Sequence, residues 1–273
     1  MANAWLLKPL TISAVNSPTS TALGALANLA NDYAGVIWRS ATGSAATIEF
    51  DMGSNVTIDT IMLLGISGPP TGAQMKIQAA TSAQGNAFSG GVGTGLNQYW
   101  ESTTGNLYAG TIVPASGKRK ALWSAPSVSG PPASRYWRIV ASSLSTNYLQ
   151  AARAVLGARY TPQRNFVFNG AFGVRDFGKS DFSNRAVLLR RRAKKLRTLA
   201  LTFSNAYRDE VEATVSELLE TLGVTDPIGI VTDPSSNAQL ENRMFFGLLT
   251  GDLGMIWRTA IAWEWRAQIV DLI

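Results

Sequence analysis

Glu49 and Asp51 stand two positions apart in "ATIEFDMG". On a strand that spacing puts both carboxylates on one face. A glycosidase holds its acid and nucleophile as such a pair, roughly 5–9 Å apart. Asp51, however, opens "DMG", a strand-to-turn sequence in which Asp ordinarily caps the backbone, and the residue is read in that role. Two Gly-rich stretches imitate phosphate loops. "GGVGTG" (90–95) has no helix pattern after it, and "GTIVPASGK" (110–118) has the wrong Gly-to-Lys spacing, so both are read as loops. The chain contains neither His nor Cys. That removes Ser-His-Asp chemistry, thiolate nucleophiles, disulfides and nearly all zinc sites. Only carboxylate, Lys or Tyr chemistry remains, and the expectation is a protein that is not an enzyme and uses no cofactor or metal.

Binding chemistry is better represented. Tyr99, Trp100, Tyr108 and Trp123 fall in or beside expected loops, where aromatic faces can stack on sugar rings or anchor a protein contact. The competing reading makes them core aromatics. A second cluster, "RAVLLRRRAKKLR" (185–197), packs seven cations into thirteen residues: Arg190, Arg191, Arg192, Lys194, Lys195 and Arg197 follow Arg185. Such runs can neutralise phosphates. Yet residues 161–273 carry fourteen cations against thirteen anions, whereas residues 1–160 carry ten against five. A nucleic-acid module more often has an unbalanced basic face. The acids Asp209, Glu210, Glu212, Glu217 and Glu220 lie just downstream, so the basic run is read as a subunit contact meeting an acidic surface. Specific nucleic-acid binding is not expected.

The elements that must position these residues are mostly strands. The chain has 273 residues, 46% of them hydrophobic and only 15% charged, enough for two modest cores. Residues 1–160 read as all-β, with strands at 45–52, 57–66, 74–81 and 135–143 separated by Gly, Pro, Ser and Asn. Residues 161–273 read as α+β. Strands are expected at 184–191 and 196–203, joined as a hairpin by a basic turn around Ala193. One helix is expected at 206–222, with an apolar stripe of Tyr207, Val211, Val215, Leu218 and Leu222 and a cap at Ser204 or Asn205. Strands resume at 227–233, 242–251 and 256–272. No apolar run approaches about 18 residues, so no membrane span is expected. The N-terminus lacks the basic region of a signal peptide, and synthesis in the cytosol is expected.

"NLANDYAGVIWRS" (28–40), "ATIEFDMGSNVTIDTIMLLG" (46–65) and "SRYWRIVASS" (134–143) together resemble the discoidin, or galactose-binding-like, β-sandwich. In the family a Trp-Ser-like pair precedes a strand ending in "DLG", here "DMG", and "RYWRI" comes late in the domain. The resemblance implies a jelly-roll sandwich that binds carbohydrate or protein through loops at one end. Further along, "LGARYTPQRNFVFNGAFGVRDFGKSDFS" (156–183) is similar to the link that follows such domains in minor tail proteins of long-tailed bacteriophages. The hairpin, single acidic helix and Trp-rich final strands are similar to the tail-tube fold of distal-tail proteins, a β-sandwich or barrel flanked by one helix.

These resemblances imply a mainly β chain, with a galactose-binding-like sandwich over 1–160 and a ring-forming tail-tube-like domain over 161–273. The expected function is a structural component of a phage tail tip or baseplate, made in the host cytoplasm and located in the virion. Its expected partners are itself (a hexameric ring, with a trimer as the alternative), other tail proteins and host-surface glycan. A soluble carbohydrate-binding module with an attachment domain is the alternative.

Overall fold

The computed structural model describes residues 2–21, 24–33, 35–168, 170–251 and 253–273. The chain forms two compact units. One comprises Met1–Tyr160 with Gly229–Met244, the other Thr161–Ile228 with Phe245–Ile273. Residues 229–244 return to the first unit, so 161–273 do not form one uninterrupted unit.

The two main sheets of the first unit are antiparallel. In one sheet, strand Ser134–Ser142 runs between Ala45–Val56 and Gln74–Ala80. In another, Thr60–Ile66 runs between Arg153–Gly157 and Arg119–Ser124. Alternation sets the inner faces. Ile48, Phe50, Trp137, Ile139 and Ile77 from the first sheet share a core with Ile61, Leu63, Ala121 and Leu156 from the second. Thr60–Ile66 is buried at every position, which is why its sequence is a continuous apolar run and not an alternating one.

Segment 229–244 covers the outer side of this strand. Gly229–Val231 pairs with Trp5–Leu7, and a Cβ on Gly229 would stand 3.0 Å from the Met62 sulfur. Glu241, fully buried, anchors the segment. Its carboxylate accepts from Arg119 Nε at 3.0 and 3.1 Å, from Arg119 Nη2 at 2.5 Å and from the backbone N–H of Lys120 at 3.0 Å. The Lys120 ammonium, equally inaccessible, donates to the Met244 carbonyl at 2.6 Å. Buried charges persist only when paired and hydrogen-bonded in this manner.

The second unit is built on strand Lys195–Tyr207, which pairs with Ala171–Asp176 on one edge and Ala262–Asp271 on the other. Leu199, Leu201 and Phe203 point inward as one face, and Phe203 stacks on Trp265 with ring centres 4.2 Å apart. Between Phe203 and Ala206 the register shifts, with Asn205 at φ 59°. This β-bulge turns the strand toward the helix that follows. Ser204 and Asn205 therefore do not cap the helix: Ser204 Oγ donates to Glu264 at 3.3 Å, and the cap position is Tyr207, without a side-chain bond. The helix runs Arg208–Leu222 with a π-helical turn at Val211–Val215. Val211, Val215, Leu218, Leu219 and Leu222 are buried. Tyr207 lies outside this stripe, as the last strand residue, with the Arg164 guanidinium over its ring.

Two strand expectations are corrected. The stretch 256–272 is a closing hairpin, Met255–Thr259 paired with Ala262–Asp271, and not one strand. Its turn contains no Gly or Pro to announce it. Strand Leu188–Arg191 pairs with Lys179–Phe182, not with 196–203. Ser183 makes the turn, its N–H donating to the Val187 carbonyl at 2.9 Å. Residues 192–194 lie opposite Phe177–Gly178 as an irregularity within a longer ribbon.

Candidate functional site

The four candidate aromatics of the first unit separate by burial. Tyr108 belongs to the core: its hydroxyl donates to the Pro69 carbonyl at 2.7 Å, and the Arg119 guanidinium lies 3.7 Å from its ring centre. Burial pushes its phenol up to about 12; the adjacent Arg119 opposes that rise and Glu241 adds to it. It cannot serve as a loop contact. Tyr99 is held against Phe88 with ring centres 5.6 Å apart, within a loop closed by Gly90–Asn97 and Gly93–Tyr99 backbone bonds. No helix follows this Gly-rich loop.

Trp100 and Trp123 come together. Their rings meet edge to face at 5.9 Å, and Trp123 contacts the fully buried Trp137 at 6.5 Å. The three indoles thus run from the core to the surface. Trp100 Nε1 donates to the Ser129 carbonyl at 3.2 Å, which fixes the outer ring. Strand pairing of Ala79 with Trp100 and of Ile61 with Trp123 sets both positions.

The pair walls a cleft of about 480 Å³ whose lining includes Met75, Glu101, Asn106 and Ser124. Glu101 supplies a fixed charge: Gln78 Nε2 donates to it at 2.6 Å and Lys76 Nζ lies 3.0 Å away. Burial pushes its carboxyl up, but these two donors outweigh burial and hold it below the usual carboxylate range. Glu101 follows Trp100 on one strand and pairs with Gln78 on the outer sheet face, so the cleft offers the indole wall with Asn106 and Ser124, the makings of a polyol or sugar site. Trp100 also borders a smaller hollow of about 260 Å³ beside Gln84, Leu96 and Pro132. Glu101 and Asn106 were not singled out from sequence. The alternation in "YWES" carried the only signal of a residue sharing the tryptophan's strand.

The carboxylates Glu49 and Asp51 are engaged elsewhere. Asp51 takes both nitrogens of Arg135, at 2.8 and 2.9 Å, and caps the Gly53 N–H at 2.7 Å. Arg135 holds it below the usual range, with burial opposing. Glu49 is paired with Arg138. Neither is placed for acid–base work.

In the second unit, Arg190, Arg191, Arg192 and Lys194 are exposed on the basic run, and Lys195 lies 3.5 Å from Asp176. Arg190, Arg191, Arg192 and Lys195 line a concavity of about 570 Å³ with Lys179 and Ser180. Arg197 departs from this group. Its guanidinium sits 4.0 Å from the Phe245 ring centre and 3.7 Å from the buried Asp271, and burial lowers its basicity, partly offset by Asp271. Its side chain is half-buried against the sheet, unlike the exposed cations of the run. Among the acids, Asp209, Glu212, Glu217 and Glu220 are exposed, and Glu212 bonds Arg208 at 2.8 Å. Glu210 is instead a structural tie, accepting from the Gln163 N–H at 2.9 Å.

No family model and no curated protein matches the chain. Solved structures similar to it include carbohydrate-binding modules. The family 32 module of AlyQ, in complex with 4,5-unsaturated mannuronic acid, is 18% identical and covers 54% of this chain and 96% of its own, with a TM-score of 0.36. A chitosan-binding module from the chitosanase/glucanase of Paenibacillus sp. IK-5 is 12% identical, covering 56% and 99%, with a TM-score of 0.38. The family 32 module of NanJ from C. perfringens, in complex with galactose, is 8% identical, covering 52% and 91%, with a TM-score of 0.37. At these TM-scores the likenesses carry no argument about function. The mainly β class rests on the chain's own strand pairing.

Proposed function

We propose that this is a non-catalytic binding protein whose first unit holds carbohydrate in the Trp100–Trp123 cleft, while its second unit attaches it to a larger assembly. The observation that carries this reading is the fixed Trp100–Trp123 indole pair walling a cleft that Asn106 and Ser124 also line. The apolar side of a pyranose covers an indole, and its hydroxyls bond the polar groups that line the cleft. Glycan-array screening of the full chain, followed by calorimetry on the best ligand, tests it. The expected result is saturable binding that Trp100→Ala weakens at least about tenfold without loss of the folded state. Absence of binding to any glycan overturns the reading, and so does unchanged affinity in Trp100→Ala.

A second reading is favoured by a different observation, the long exposed ribbon that carries the basic run. In it, the second unit forms a ring, hexameric or trimeric, around the tail axis of a bacteriophage, among other tail proteins of the virion, and the first unit is displayed toward host glycan. Electron microscopy of the purified protein is the direct check for a ring.

A further inference from the structure

Residues 171–200 form one continuous β-hairpin arm. Pairing runs from Ala171–Ala200 to Asp176–Lys195, resumes at Lys179–Arg191 and ends at Phe182–Leu188, with the tip at 183–187. From 171 to 195 every side chain except Ser183 is exposed; Gly178 is half-buried. A two-stranded ribbon in water is marginal by itself, and this one has further liabilities. Its distal end shows Phe182, Val187, Leu188 and Leu189, between 44% and 66% exposed. Behind that apolar end, Lys179 stands directly opposite Arg191, a like-charge pairing that costs stability unless an anion relieves it. Arg190, Arg192 and Lys194 crowd the same stretch. The local acids are already engaged: Asp176 accepts from the Gly178 N–H at 2.7 Å, and Asp181 from the Phe182 N–H at 2.8 Å. Sequence and geometry thus describe an apolar tip with a cationic collar in which Asp176 pairs with Lys195 and the remaining cations outnumber the local acids.

The same unit carries a surface of opposite character. On the closing hairpin, Ile256, Trp257 and Ile261 are exposed, with Trp257 braced edge to face on Trp263 at 5.1 Å. The Arg208 N–H donates to the Ile261 carbonyl at 3.2 Å, which places the start of the acidic helix beside this apolar patch. Asp209, Glu212, Glu217 and Glu220 are the exposed acids of that helix. Arg208 and Arg258 also lie there, but each is already bonded to a carboxylate, Glu212 and Glu264 respectively.

The arm cannot reach this surface within one molecule. The two sit at opposite ends of strand Lys195–Tyr207, a separation of roughly 40 Å at about 3.3 Å per residue, and the arm extends away from Tyr207. We propose that the arm of one copy docks tip first on the closing hairpin and helix start of a second copy. Its apolar tip covers Trp257 and Ile261, and its collar faces Asp209 at the helix start. This contact is heterologous, so it repeats from copy to copy and closes a ring or continues as a filament. It rests on the homo-oligomeric reading and names both halves of the interface. It holds whether or not the first unit binds sugar.

Two variants of the full chain separate the halves. In one, residues 177–194 are replaced by Asn-Gly, which closes the Asp176–Lys195 pair with a two-residue turn and shortens the arm. The other is Trp257→Ser with Ile261→Ser, both at exposed positions. Sedimentation velocity of the wild-type protein should show oligomers, and each variant alone should be monomeric. An equimolar mixture of the two should form dimers, because one intact arm meets one intact acceptor and no further contact can follow. Oligomers of unchanged size in the Trp257→Ser/Ile261→Ser variant overturn the docking surface while leaving self-assembly standing. A wild-type monomer overturns both, including one whose arm instead carries it onto anionic vesicles or DNA.

Discussion

Tyr108 shows how a residue's partners decide its role. In sequence it neighbours Gly and Asn and reads as a loop aromatic. In the fold it is sealed between the Pro69 carbonyl and the Arg119 guanidinium. Its phenol, raised to about 12 from the ordinary 10, links stability to alkaline pH. The folded state keeps the proton while the unfolded chain releases it. Tyr108 therefore contributes nothing pH-dependent below pH 10, and stability falls as pH rises from 10 to 12. The loss reaches roughly 2–3 kcal/mol for a shift of that size. Denaturant unfolding at pH 9 and pH 11.5 should show a smaller decrease for Tyr108→Phe than for the wild type. Parallel decreases would mean that the phenol is not buried as described.

At the scale of elements, the bulge at Asn205 governs how strand becomes helix. Asn tolerates φ 59° where a β-branched residue does not. Asn205→Val should destabilise by about 1–2 kcal/mol and Asn205→Gly by little, as read from denaturant midpoints. Equal effects would place the strain elsewhere. This junction also marks what sequence reasoning can and cannot resolve. The helix was legible because Val211, Val215, Leu218 and Leu222 repeat at helical spacing, and strands such as Ser134–Ser142 because their apolar residues alternate. Pairing was not legible. Alternation says which residues share a face but leaves open which strand lies alongside, so Leu188–Arg191 was assigned to the wrong neighbour. The turn at 260–261 was hidden because Ala and Ile carry no turn signature. In the candidate site, Trp100 and Trp123 were visible as residue types. Their meeting depends on two separate strand registers, and the cleft they form could not be foreseen.

At the scale of the whole molecule, the first unit depends on residues that arrive late in the chain. Arg119 and Glu241 are 122 positions apart, and no local pattern connects them. A fragment ending at residue 160 loses both the carboxylate that pairs with Arg119 and the segment that lies over it. It also strips the strand that covers Trp5–Leu7. Such a fragment should melt at least about 10 °C below the same fragment joined through a flexible linker to residues 229–244, as followed by circular dichroism. Equal melting temperatures would show the returning segment to be dispensable.

That return has a consequence for biosynthesis. When residue 160 leaves the ribosome, the sandwich lacks its last strand and the partner of Arg119. Both follow only after a further 84 residues, counted from Tyr160 to Met244, have been made. At about 5–20 residues per second, the nascent first unit waits roughly 4–17 s in an unfinished state. During that interval the arm-bearing segment emerges in full, so the part of the chain with the most exposed apolar surface is made before its neighbour has closed.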